Sequence, residues 1–367
     1  MHRRDGERPP LQPPVAHLLA CLVALTAARA QQDPTAVSPS TQAQRLVRLL
    51  ELPERCSESW RALLQLRAAA APPLAAALQD PRPDVAVRAA WLLAMLGAAD
   101  AEAALPALRR GAATEVVPVA RACRWALDRL AFRGTLLTDY GTHTVVHLGA
   151  DGKELRRIAS LRGPWFAEPV GEGNLLVSEY AGNCVRELDA NGKEVWSFTD
   201  LNNPYQAQRL PGGNTLISDA GNNRVVEVAP DGKIVWEKKE LKRPVAAERL
   251  PDGHTLVCEQ QGGSVVELDA AGNEVWRHDG LNRPQRAQRL LNGNTLIALH
   301  QGGQVLEVDH DGKVVGEPLP VPDAQMAFRR PDGHVLIAAT TYFQELDETG
   351  KEVWRLAGTY GVGILRQ

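Results

Sequence analysis

From Gly134 onward apolar and polar residues alternate in short runs, and the set of runs recurs about every 40 residues. One run reads GTLLTDY from Gly134, NLLVSEY from Asn174, NTLISDA from Asn214, HTLVCEQ from His254, NTLIALH from Asn294 and HVLIAAT from His334. A second run follows, as in Arg224–Val228 and Ser264–Leu268, then an Asp-Gly or Asn-Gly pair, then a third run such as Lys233–Glu237. A fourth run opens on a proline, as in Pro204–Leu210. A period of two puts alternate side chains on opposite faces, so each run predicts a strand. Four short strands per unit and six units predict an all-β six-bladed β-propeller over 132–367.

From the channel outwards the strands of a unit are A, the post-proline run; B, the NTLIS run; C, the RVVEV run; and D, the KxVW run. Ala167, Ala207, Ala247, Ala287 and Ala327 share one position on A. The A–B connections (Glu172-Gly173, Gly212-Gly213, Asp252-Gly253, Asn292-Gly293, Asp332-Gly333) suit tight hairpins, as do the C–D connections at Asp151-Gly152, Asn191-Gly192, Asp231-Gly232 and Asp311-Gly312. These turns line one face. The longer B–C and D–A loops line the other, and a site is expected there or in the channel beneath it. No A strand precedes Gly134, while Gly361–Gln367 is left over. That segment is expected to pair inside Leu136–Asp139, complete blade one and close the ring.

Residues 41–131 change period. Leu46, Leu49 and Leu50, then Trp60, Leu63, Leu64 and Leu66, recur at helical spacing, and about six antiparallel helices are expected. Leu74–Gly97 resembles a HEAT repeat: Asp80, the Pro81–Pro83 turn, Asp84 and the Val87-Arg88 core. Arg121 repeats Arg88 after 33 residues. So short an array is expected to dock on the propeller. Residues 31–40 read as a linker. Residues 1–30, with Arg3, Arg4 and Arg8, an apolar run from Val15 to Ala28 and an Ala28-Arg29-Ala30 site, read as a signal peptide. Export to the periplasm or the extracellular space is the expectation, preferred over a lipid anchor at Cys21. No transmembrane segment is expected in the mature chain. The net charge of −3 supplies no basic field for nucleic acid. Cys56, Cys123, Cys184 and Cys258 lack metal-type spacing. Cys56 and Cys123 share the helical segment and remain candidates for a pair, with buried free thiols the preferred reading.

Trp196, Trp236, Trp276 and Trp354 occupy one position on strand D and read as packing between blades. Asp139, Glu179, Asp219 and Glu259 end strand B and read as loop caps rather than a cation ring. The residues that differ from blade to blade near the open face and channel are Tyr140, Trp165, Phe166, Tyr180, Tyr205 and His300, with Glu168, Gln208, Glu248, Arg286 and Gln288 on strand A. Such a set suits a polar small molecule or a loop of a partner protein. Of the propeller histidines, only His300 is expected near the open face; His254, His310 and His334 sit beside tight turns.

Leu210–Glu237 (LPGGNTLISDAGNNRVVEVAPDGKIVWE) resembles exported bacterial propellers of three related kinds: NHL-type repeats, PQQ-like quinoprotein repeats with a GKxxW element, and arylsulfotransferase-like propellers with an LPxGNTLI strand. The resemblance spans nearly all of 134–367. Arylsulfotransferases carry a histidine nucleophile just before the shared alanine, where this chain has Phe166, Gln206, Ala246, Arg286 and Met326. Quinone dehydrogenases typically have eight blades and a calcium-liganding set that this chain does not supply. The leading expectation is therefore a monomeric, non-catalytic exported binding or scaffold protein of the cell envelope, without cofactor or metal. The alternative is a propeller-class enzyme built on His300, Arg286 and Glu248, with PQQ or a divalent cation in the channel. A third reading is a structural part of an envelope assembly, held through the helical array.

Overall fold

The computed structural model describes residues 37–171, 173–358 and 361–366. The expected signal peptide and most of the expected linker lie outside them. The chain opens with six α-helices: α1 (Pro39–Arg48), α2 (Pro53–Gln65), α3 (Ala71–Ala77), α4 (Pro83–Leu96), α5 (Leu105–Ala112) and α6 (Val117–Ala131). Helix α1 already includes Pro39 and Ser40, the last two residues of the expected linker. Every one of the six has a proline at its first or second position. There the missing N–H costs no helical hydrogen bond and the fixed φ starts the turn. Their apolar stripes meet in one core in which Trp60, Leu63, Leu74, Leu92, Leu93 and Leu108 are fully buried. Cys56 and Cys123 lie in that core as free thiols, and burial pushes each up to about 11. Cys184 and Cys258 are free and buried as well. Among the described residues no helix is long and apolar enough to cross a membrane.

Six four-stranded antiparallel sheets follow, forming a six-bladed β-propeller. Blade one holds β1 (Thr135–Asp139), β2 (Thr144–Leu148) and β3 (Glu154–Ile158). Blade two is β4 (Pro164–Pro169), β5 (Leu175–Glu179), β6 (Cys184–Leu188) and β7 (Glu194–Phe198). Blade three is β8 (Pro204–Arg209), β9 (Thr215–Asp219), β10 (Arg224–Val228) and β11 (Ile234–Lys238). Blade four is β12 (Pro244–Arg249), β13 (Thr255–Glu259), β14 (Ser264–Leu268) and β15 (Glu274–His278). Blade five is β16 (Pro284–Arg289), β17 (Thr295–Leu299), β18 (Gln304–Val308) and a two-residue β19 (Leu319–Pro320). Blade six is β20 (Ala324–Arg329), β21 (Val335–Ala339), β22 (Tyr342–Leu346) and β23 (Glu352–Ala357). The last strand, β24 (Gly361–Arg366), pairs antiparallel with β1, Leu137 opposite Ile364 and Asp139 opposite Gly361. The expected closure therefore forms, and the C-terminal strand supplies the innermost position of blade one. A Cβ on Gly363 would sit 3.2 Å from the Trp165 carbonyl oxygen, a contact tight enough to favour glycine there.

Neighbouring blades are joined by a recurring polar device. In blade three, Asn214 at the start of strand B donates to Glu227 on strand C at 2.6 Å. Arg249, at the end of the next blade's strand A, reaches the other oxygen of Glu227 at 2.8 Å and lies over the ring of Trp236 on strand D. Asn174, Glu187, Arg209 and Trp196 repeat the arrangement one blade earlier, and His254, Glu267, Arg289 and Trp276 one blade later. The strand-D tryptophans are thus packing residues of the seams, and the GNTLI…E…W signature encodes blade-to-blade attachment.

The helical domain sits on the tight-turn face. Ser57 and Trp60 donate to Asp252 at 2.7 and 3.1 Å, Gln65 to the Leu291 carbonyl, Arg67 to the Pro331 carbonyl and Trp125 to the Arg209 carbonyl. Arg129 reaches past the turns to Glu168 on strand A of blade two. Among the described residues no helical side chain bonds to the opposite, loop-bearing face of the propeller.

Candidate functional site at the open mouth of the channel

Strand A runs from the open face to the tight turns, so its positions mark depth in the channel. The residue after each proline is outermost: Trp165, Tyr205, Val245, Gln285, and Gln325 after Ala324. Beside this tier stands the residue after strand B: Tyr140, Tyr180, Ala220, Gln260, His300 and Thr340. Backbone bonds hold that second tier to the loops. The N–H of Tyr180 donates to the Gly163 carbonyl, that of Gln260 to Arg243 and that of His300 to Arg283, at 2.9–3.1 Å. These two tiers differ most between blades because no seam constrains them.

The tiers enclose a cavity of about 290 Å³ lined by Tyr140, Trp165, Tyr180, Tyr205, Arg283, Gln285, His300 and Gln325. One wall is aromatic. Trp165 lies 4.5 Å from Tyr205, 5.5 Å from Tyr180 and 5.6 Å from Tyr140, centroid to centroid, in tilted and edge-on contacts. The other wall is polar. Gln260 donates to Gln285 at 3.1 Å, and Gln325 lies 3.2 Å from the Nδ1 of His300 and 3.3 Å from the Thr340 hydroxyl. Gln325 is only 4% exposed, yet its Oε1 has no hydrogen-bond partner among the described residues.

A second cavity of about 560 Å³ adjoins the first through Arg283 and is lined further by Arg243, Gln260, Gln261, Gly262, Gly263, Leu281 and Asn282. Arg243 donates to the Tyr205 hydroxyl at 3.1 Å, while its buried Nε has no partner. Burial raises the Tyr205 phenol, with Arg243 opposing the shift. No ion pair among the described residues engages the Arg283 guanidinium. None of the residues lining either cavity is acidic. Arg243 and Arg283 adopt left-handed backbone, φ +56° and +53°, where blades two and three place Gly163 and Asn203. Each arginine is held there at a cost of about 1 kcal/mol.

The sequence-derived set divides by depth. Tyr140, Trp165, Tyr180, Tyr205 and His300 meet in the mouth. Phe166, Glu168, Gln208, Glu248, Arg286 and Gln288 do not line it. Phe166 packs with Leu137, Met326 and Phe343. Glu168 and Gln208 accept from the backbone N–H groups of Arg209 and Arg249, and Gln288 both accepts from and donates to the Arg329 backbone. These three side chains are bolts between adjacent strands A. Arg286 reaches across the channel to within 5.9 Å of the Phe166 ring centroid and lies 3.6 Å from Glu248. Burial raises the Glu248 carboxyl against the pull of Arg286, and pushes the neighbouring Cys258 thiol up to about 12. His300 is a tier or more above this pair, so the His300, Arg286 and Glu248 set does not meet in one cavity. His143 is a further correction: it lies in the blade-one B–C loop beside Tyr140, 6.0 Å ring to ring, so His300 is not the lone histidine of the open face.

Gln260, Gln285, Gln325, Arg243 and Arg283 were not singled out from the sequence. The signal was present, since they stand one or more repeat periods from Tyr180, Trp165 and Gly163. The strand-B carboxylates cap loops, Asp139 the loop that follows its strand and the other three the D–A loop that leads into their blade. Asp139 accepts from the Thr142 N–H, Glu179 from Arg162, Asp219 from Asn202 and Glu259 from Lys242. Among the described residues no three His, Cys, Asp or Glu side chains converge as a metal site would require.

Residues 181–330 match a family model of PQQ-like repeats described as outer membrane protein assembly factor BamB. No curated protein matches the chain. Among solved structures, a protein of unknown function from Bacteroides caccae is 18% identical with a TM-score of 0.54, covering 63% of this chain and 97% of its own. A chain of the nidogen/laminin complex is 12% identical with a TM-score of 0.51, covering 64% and 98%. Virginiamycin B lyase from Staphylococcus aureus is 14% identical with a TM-score of 0.49, covering 62% and 81%. At such identities the likeness is one of fold alone. The chain is a six-bladed β-propeller preceded by a helical domain, and its residues 181–330 are similar to PQQ-like repeats.

Proposed function

We propose that the protein is an exported, non-catalytic binding protein of the cell envelope whose site is the open mouth of the propeller channel, and whose ligand is an organic anion bearing a planar ring. One observation carries the reading: two cavities that share Arg283 are lined by four aromatic rings, two arginines and several amides, and by no carboxylate. Rings of a ligand stack on tilted aromatic faces, and guanidinium groups hold carboxylate, sulfate or phosphate in a forked geometry. A neutral ligand would leave Arg283 without a counter-charge. The binding reading is favoured over an enzyme because His300 is bonded to Gln325, while Glu248 and Arg286 lie deeper and face each other. Export rests on the character of residues 1–30.

Native mass spectrometry of the mature protein, purified from its own envelope, tests this. The expected result is a co-purifying aromatic acid that is lost from the Trp165→Ala variant. A metal ion or a neutral compound retained by Trp165→Ala would contradict the reading.

A further inference from the structure

The outer seams of blades two, three and four repeat one arrangement. Trp196, Trp236 and Trp276 each lie beneath an arginine from the end of the next blade's strand A, at 5.0, 4.7 and 4.9 Å from guanidinium carbon to ring centroid. The indole covers the cation: the side chains of Arg209, Arg249 and Arg289 are only 12, 9 and 3% exposed. The fourth arginine of the series is Arg329. It still pairs with Glu307 at 2.6 Å, and its backbone N–H still donates to Gln288. Its side chain, however, is 34% exposed.

The difference lies in strand D of blade five. Gly316 stands where blades two, three, four and six carry tryptophan, and its φ of +73° turns the chain out of the sheet. The strand returns only as β19, opposite Gln304 and Val305. Val314 and Val315, just before the turn, are 43 and 42% exposed. The seam between blades five and six thus keeps the arginine and its carboxylate and lacks the ring.

We infer that this seam is a docking notch for an aromatic side chain, tryptophan above all, presented by a partner protein. The occupant is read from the molecule itself, because three copies of the same scaffold seat an indole on the equivalent arginine. The guanidinium face is weakly hydrated and complementary to the negative face of a ring. The notch lies on the outer wall of the propeller, away from the channel mouth, so it stands or falls independently of the ligand proposed above.

The test uses the full chain with 15N-labelled arginine, titrated with acetyl-Val-Trp-Val-amide and with acetyl-Val-Ala-Val-amide. The Arg329 Nε–Hε signal is identified by its loss in Arg329→Lys, a variant that keeps a cation for Glu307 but has no planar face. The expected result is a saturable ring-current shift of that signal with the tryptophan peptide and none with the alanine peptide. Affinity for the tryptophan peptide should fall about five-fold or more in Arg329→Lys and in Arg329→Gln, both with unchanged circular dichroism. An unmoved Arg329 signal, equal shifts with both peptides, or unchanged affinity in the two variants would overturn the proposal.

Discussion

The guanidinium of Arg249 lies 4.7 Å from the centroid of the Trp236 ring, although the two residues belong to different blades. Arg249 also bonds the Gly253 carbonyl and Glu227, so one side chain ties a turn, a neighbouring strand C and a neighbouring strand D. Trp236→Ala removes a half-buried indole and uncovers the arginine. The expected loss is about 1–3 kcal/mol of unfolding free energy, read by urea denaturation. Trp236→Phe should recover part of it, whereas an unchanged midpoint for Trp236→Ala would mean that the seam is held by backbone pairing alone.

Arg129 carries the attachment of the helical domain into the channel. Glu168 is buried, and desolvation raises its carboxyl against the opposing pull of Arg129 and the Arg209 N–H. Arg129→Ala strands that carboxylate and should cost about 3 kcal/mol at neutral pH. A raised folded-state value means that the native state binds the proton more readily, so the penalty should shrink as pH falls toward 5. Glu168→Gln in the same background should restore most of the loss, since Gln208 and Gln288 make the same bolt without charge. Failure of Glu168→Gln to rescue would place the Arg129 contribution elsewhere.

His254 replaces the asparagine of the other seams and bonds Glu267 at 2.7 Å. That bond raises the imidazole above its ordinary value, while Glu267, despite its burial, is held below the usual carboxylate range chiefly by His254 and Arg289. For the histidine the extra stability is fully present below about pH 6.5 and is lost as pH rises through the raised value. Melting temperatures of wild type and His254→Asn should therefore differ most below about pH 6.5 and converge as pH rises through the raised value. A gap that widens with pH would contradict the pairing.

Without Gly361–Gln367, blade one loses its innermost strand and β1 presents an open edge to the channel. The truncated chain should unfold at lower temperature, and its amides in β1 should exchange like those of an edge strand. Cooperative melting at the wild-type temperature would show that closure does not depend on β24.

The repeat was legible because the residues that repeat are those of the seams: Asn214, Glu227, Arg249 and Trp236 recur for packing, and their recurrence announces six blades. The closing strand was legible by counting. The mouth was legible only in part. Tyr140, Trp165, Tyr180 and Tyr205 stand out as large aromatics, whereas Gln285 and Gln325 look like any polar strand residue until depth in the channel is known. Glu168 and Gln288 pose the opposite problem. A polar residue on an innermost strand reads as a ligand contact, and only the geometry reveals that its partner is the adjacent backbone. Arg243 and Arg283 carried a subtler signal, since a position served by glycine and asparagine in other blades implies left-handed backbone, and an arginine there is kept against its conformational preference.

That last point yields the most direct measurement of the central claim. Isothermal titration of the full chain with naphthalene-2-carboxylate and naphthalene-2-carboxamide compares one ring with and without the charge, in wild type and in Arg283→Asn, which installs the blade-three residue. The account predicts carboxylate binding about ten-fold or more tighter than the amide in wild type, and loss of that preference in Arg283→Asn together with a melting temperature equal to or above wild type. Equal binding of the two compounds, or a carboxylate preference that survives Arg283→Asn, would contradict it.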